Sequence, residues 1–128
     1  MKLAEAILER QQLENKVKRL RARIINDHDE GRPTKHIQEE LSRTVNQARD
    51  MSIAVDWTEQ TSSMSGIPLG AYRTRIKYLI QNAEFLEKIN HEQADVYWES
   101  ANHDIKIVEA ATWLLDLKIP GTSKEEES

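Results

Sequence analysis

The richest chemistry in the 128-residue chain lies between positions 57 and 78. Thr58, Thr61, Ser62, Ser63 and Ser65 place hydroxyls along a short stretch that ends at Gly66-Ile67-Pro68. Proline is tolerated in the first turn of a helix, because the N–H it lacks would be unpaired there anyway. A helix starting at this point aims free backbone N–H groups and the positive end of its dipole at the loop, which favours an anion. Arg73 and Lys77 then stand one turn apart, with Arg75 on a neighbouring face. Trp57, Tyr72 and Tyr78 offer flat surfaces on which a base could stack. Together these parts would make a receptor for a phosphorylated aromatic small molecule. Arg73, Arg75 and Lys77 would neutralise phosphate, Thr58 and Ser65 would donate hydrogen bonds, and Trp57 or Tyr72 would stack. The competing reading leaves the loop merely solvated, buries Trp57 and Tyr72 in the core, and pairs the basic residues with acidic ones further along the chain.

Other chemistry is thinner. Glu87, His91, Asp95 and Glu99 recur every four residues, a spacing that could hold a divalent cation on one helix face. Ligands from a single helix seldom close a coordination sphere, so a solvated polar face is the preferred reading. A metal-dependent hydrolase would need a second acidic helix facing Glu87, His91 and Asp95. Glu84-x-x-Glu87 and Glu92-x-x-Asp95 are too close together to serve as two such helices, and His91-Glu92-x-x-Asp95 lacks the second histidine of a zincin. The four histidines, His28, His36, His91 and His103, fall in different elements. Cysteine is absent, which removes thiol nucleophiles, thiolate metal sites and disulfides together. No phosphate-binding glycine loop or nucleophile elbow occurs. The expectation is a non-enzymatic protein without a metal or cofactor.

The elements that must position these residues read as helices throughout. Leu3, Ala6, Arg10, Leu13, Val17, Leu20 and Ile24 alternate three and four apart, the seam of a helix packed on another helix. This helix is expected over 3–25, stopped by Asn26-Asp27-His28-Asp29-Glu30-Gly31-Arg32-Pro33. Thr34 is the expected N-cap of a second helix over 35–57, with Ile37, Leu41, Thr44, Ala48, Met51 and Val55 as its seam. The short connection makes these two an antiparallel hairpin. A third helix over 69–99 carries Leu69, Tyr72, Ile76, Leu79, Ala83 and Leu86, with no Gly or Pro from Ala71 to Ile119. Ser100-Ala101-Asn102-His103-Asp104 should break it, since Asn and Asp favour caps and turns. A short fourth helix over 104–118 follows, although Ile105-Lys106-Ile107-Val108 alternates like a strand. Residues 120–128 read as a disordered acidic tail after a single helical domain, 1–119.

Charge is unevenly placed. Residues 1–50 carry 11 basic and 9 acidic side chains, whereas residues 79–128 carry 4 and 11, within a net charge of −4. The one basic cluster, Lys16, Lys18, Arg19, Arg21 and Arg23, spreads over several faces of the first helix and reads as solvated, so DNA is not an expected partner. No apolar run approaches a membrane span and no leader segment stands at the N-terminus, which gives a cytoplasmic expectation, the host cytoplasm if a phage encodes the chain. A third helix of about 45 Å would overhang a globule whose radius of gyration is about 14 Å. Its uncovered stripe predicts a bundle-like or coiled-coil-like homo-oligomer.

Met1-Lys2-Leu3-Ala4-Glu5-Ala6-Ile7-Leu8-Glu9-Arg10, followed by Leu20-Arg21-Ala22-Arg23-Ile24, resembles the septicolysin-like family of small helical bacterial and phage proteins. The family's middle motif is similar to Val55-Asp56-Trp57-Thr58 and Gly66-Ile67-Pro68-Leu69, with Arg75 and Leu79 beyond. Asp56 and Glu59 stand where that motif has asparagines, and His103-Asp104-Ile105-Lys106-Ile107-Val108 echoes its later extended segment. The resemblance covers about residues 1–90 and implies an all-helical, oligomeric, non-catalytic protein without naming a substrate. Two functions stand open, the first favoured by analogy of size, helicity and pocket chemistry. One is a sponge sequestering a nucleotide-derived immune signal in an oligomer pocket, as phage anti-defence proteins do. The other is a structural or adaptor protein that binds another protein.

Overall fold

The computed structural model describes residues 1–121 as four helices and one small hairpin. Helix α1 spans Leu3–Asp29, α2 spans Lys35–Thr61, α3 spans Leu69–Leu86 and α4 spans His91–Leu114. Strands β1 (Ser63–Met64) and β2 (Ile67–Pro68) pair antiparallel between α2 and α3. Most of the expected tail, residues 122–128, lies outside the described residues.

The first two helices form the expected antiparallel hairpin, each about 40 Å long. Leu3, Ala6, Val17 and Leu20 of the α1 seam are buried, and Ile37, Thr44 and Val55 answer them from α2. Helix α1 runs one turn further than its turn-rich sequence suggests. Gly31, at φ +75°, gives its N–H to His28, and Arg32 gives its N–H to Asp27 at 2.8 Å. This is the left-handed C-terminal cap that glycine adopts without steric cost. Thr34 stands at the N-cap of α2, yet its hydroxyl accepts from the Gln38 side chain instead of capping the backbone.

The second half of the chain differs from the expectation. The single helix over 69–99 is two helices, because the chain turns at Glu87-Lys88-Ile89-Asn90. The Asn90 side chain accepts from the Gln93 backbone N–H and so caps the new helix. The Trp98 indole donates to Glu87 at 2.7 Å across the corner. The break expected at 100–104 is absent, since Asp104 faces inward and is bound by a side chain rather than serving as a cap. Residues 105–108 are helical, and α4 ends at Leu114 instead of 118. Helices α3 and α4 thus make a second antiparallel hairpin, and the long overhanging third helix does not exist.

The two hairpins meet at one end. Leu3, Ala6, Val55, Leu69, Tyr72, Val108 and Ala111 form one buried cluster there. Each large side chain so buried contributes roughly 1.5–3 kcal/mol. The chain beyond α4 fastens the junction. Leu3 donates its N–H to Leu115, Leu117 donates to Met1, and Lys2 lies 3.0 Å from the Asp116 carboxylate. Away from the junction each hairpin is two helices thick. Its cost is visible as surface, since the chain exposes 8845 Å². A compact monomer of this mass exposes roughly 7,000 Å².

Candidate functional site

The junction positions the residues singled out from sequence. Helix α2 extends to Thr61, so Trp57 and Thr58 are helical rather than part of a loop. Thr58 is fully buried. Its hydroxyl donates to the Ala54 carbonyl at 2.8 Å and accepts the Lys118 N–H at 2.7 Å, which clamps the segment after α4 onto α2. Trp57 is half-exposed beside Ile53, Asp56, Gln60 and Pro120.

Ser65 sits at the tip of the β1–β2 hairpin. Ser65 and Gly66, at φ 54° and 79°, form a two-residue turn in which both residues are left-handed. Such turns match the twist of the flanking strands, and Gly66 meets the demand cheaply because it has no side chain. Pro68 then closes β2 and stands at the N-cap of α3. The Leu69 N–H behind it donates to the Ser62 carbonyl at 3.0 Å. One of the backbone donors expected to face an anion is therefore used within the chain.

The basic residues of α3 have partners. Arg73 donates to Glu59 at 2.6 Å, and Glu59 is itself buried. Arg75 donates through two nitrogens to Asp104, at 2.6 and 2.8 Å, and its guanidinium carbon lies 5.0 Å from the centre of the Tyr72 ring. That hydrogen bond to Asp104 is the main reason the guanidinium holds its proton above its ordinary range. Tyr72 is buried and donates its hydroxyl to the Met64 carbonyl at 3.2 Å. Lys77 lies over the Tyr78 ring at 5.9 Å. Tyr72 and Arg75 come together, whereas Trp57 lines a separate groove, Ser65 stands at the hairpin tip and Lys77 lies over Tyr78.

Two arginines two residues apart on a helix look to different sides, and here they line separate grooves. Arg75 shares a groove of about 480 Å³ with Leu79, Glu99, Ser100, His103 and Asp104. Arg73 shares one of about 270 Å³ with Ile76, Ile105, Val108 and Glu109. An anion in the first would meet one guanidinium and the carboxylates of Asp104 and Glu99. In the second it would meet Arg73 opposed by Glu59 and Glu109. Neither groove carries an excess of positive charge, so both pairs hold helices together more readily than they receive phosphate.

Sequence reasoning names Glu59 only through the resemblance, and it misses both Glu59 and Asp104 as partners of the arginines. Asp104 reads as a helix breaker in sequence, although Ala101 and Val108, one turn on either side, mark it as core-facing. The polar residues around the α3–α4 corner are also redistributed. Glu87 precedes the break and binds Trp98, so it does not share a continuous helix face with His91, Asp95 and Glu99. Among the described residues no group of three or more acidic or histidine side chains is placed to hold a metal ion, and no helix is long and apolar enough to cross a membrane. Compared with family models, curated proteins and solved structures, the chain matches none.

Proposed function

We propose that this chain works by protein–protein contact, as a non-enzymatic helical interaction protein whose two hairpins receive helices of another subunit. One observation carries the reading. Beyond the shared junction each hairpin has only two helices, and large apolar side chains stand uncovered along them. Phe85 is 62% exposed, Ile89 68% and Val96 54%, and Ile25 near the far end of α1 is 62% exposed. Surplus surface of this kind, rimmed by polar residues, marks a surface that a partner covers. The resemblance of residues 1–90 to the septicolysin-like proteins supports the same reading, since it implies oligomeric, non-catalytic helices.

Sequestration of a nucleotide-derived signal asks more of the molecule. Arg73 and Arg75 would have to exchange Glu59 and Asp104 for phosphate, stranding two buried carboxylates. The test is a thermal-shift panel of cyclic dinucleotides and ADP-ribose derivatives on the purified chain. The interaction reading expects no saturable rise in melting temperature from any of them, because a ligand stabilises only what it binds. A saturable rise that disappears in Arg75→Ala would overturn it in favour of the sponge.

A further inference from the structure

On the interaction reading just given, we infer that the covering partner is a second copy of this chain, with the basic arm of one copy seated against the acidic arm of the other. The first half of the argument is a groove. Between α1 and α2, away from the junction, a groove of about 450 Å³ has Val17, Val45 and Ala48 as its floor and Lys18 and Arg21 on its rim. Its apolar floor is one that helices of a bundle would normally cover. Residues 14–23 around it carry five basic side chains against one acidic, for +4. Lys18 and Arg21 are exposed and have no ion-pair partner among the described residues.

The second half is the α3–α4 corner. Residues 84–99 carry five acidic side chains against one basic, for −4, around the exposed apolar residues Phe85, Ile89 and Val96. Glu92, Val96 and Glu99 fall on one face of α4, with Asp95 beside them, and all four are exposed. The acids likewise have no ion-pair partner among the described residues. Lys16 and Arg23 are already paired with Glu40 and Asp27, so Lys18, Arg19 and Arg21 are the cations left to meet this opposite charge on the same chain. The two lie on different hairpins, and each hairpin leaves the junction as a separate arm. Two copies can satisfy both demands at once in a reciprocal pair, where each basic arm meets the other copy's acidic arm. This is the self-complementary arrangement that two-fold symmetry requires.

A charge swap tests this on the whole chain by sedimentation velocity at low salt. One variant carries Lys18→Glu and Arg21→Glu, the other Asp95→Lys and Glu99→Lys, and circular dichroism confirms that each is helical. The unaltered chain is expected as a dimer. Each variant alone should self-associate on the order of a hundredfold more weakly, because like charges then face each other. An equimolar mixture should form a heterodimer, because both of its interfaces again pair opposite charges, and rescue of this kind cannot come from a misfolded variant. Persistence of the dimer in both variants, or no recovery on mixing, would overturn the proposal. A monomeric unaltered chain would also overturn it and assign the arms to a different protein, leaving the interaction reading in place.

Discussion

Arg75 grips Asp104 through two nitrogens, and the two ends of this pair are unequally exposed. Asp104 is 3% exposed, whereas about half of the Arg75 side chain remains in contact with water. The pair bolts α3 to α4 one turn from the junction. Removing the arginine leaves a carboxylate stranded inside, but removing the aspartate leaves a guanidinium that can still reach solvent. Arg75→Ala should therefore cost more than Asp104→Ala, roughly 2–4 against 1–2 kcal/mol once screening of the exposed end is allowed for. Urea unfolding of both variants checks the order, and equal losses would contradict it.

Thr58 should be needed for what its hydroxyl does rather than for its volume. Thr58→Val keeps the shape but strands the Lys118 N–H, at a cost of about 1–3 kcal/mol. Limited proteolysis should then cut the segment after Leu114 faster than in the unaltered chain. A variant as resistant as its parent would show that the clamp is unimportant.

The corner between α3 and α4 depends on one cap. Asn90→Ala should destabilise by about 0.5–2 kcal/mol. In a chain of this size each kcal/mol corresponds to about 3–5 °C of melting temperature, which differential scanning calorimetry resolves. Asn90→Asp should restore most of the loss, because a carboxylate accepts the same N–H and suits the positive end of α4.

Lys2 holds the Asp116 carboxyl below its ordinary range, chiefly through their hydrogen bond and mutual attraction. A depressed carboxylate contributes stability above its unfolded value, and that contribution disappears as pH falls through the lower folded value. Both groups are largely exposed, so the effect is small. Lys2→Met should melt slightly below the unaltered chain at pH 7, with the gap closing as the solution is taken below pH about 4. A gap that widens in acid would contradict this assignment.

The part of the fold that could be read from residue order is the part governed by repetition. Leu3, Ala6, Arg10, Leu13, Val17 and Leu20 repeat every three or four positions, and the same periodicity from Ile37 to Val55 names the partner face. What could not be read depends on single contacts made across the chain. Nothing composed of Gly or Pro announces the turn at Lys88-Ile89; Asn90 makes it by capping, and Trp98 secures it from 11 residues away. Asp104 looks like a breaker until Arg75 is placed opposite, and nothing in the spacing pairs Glu59 with Arg73. The candidate anion site shared this difficulty. Hydroxyls and arginines are visible in sequence, but the carboxylates and carbonyls that meet them across the fold are not.

The account rests on two-helix arms that lack cover until a second chain supplies it, and amide hydrogen exchange across a concentration series measures that cover directly. In dilute protein, residues 14–46 and 79–101 should exchange far faster than the junction residues 51–58 and 104–114, because locally opened segments report their own low stability. Raising the concentration should slow exchange in both arms together and leave the junction unchanged. Arms as protected as the junction in a dilute monomer, with no response to concentration, would contradict the account.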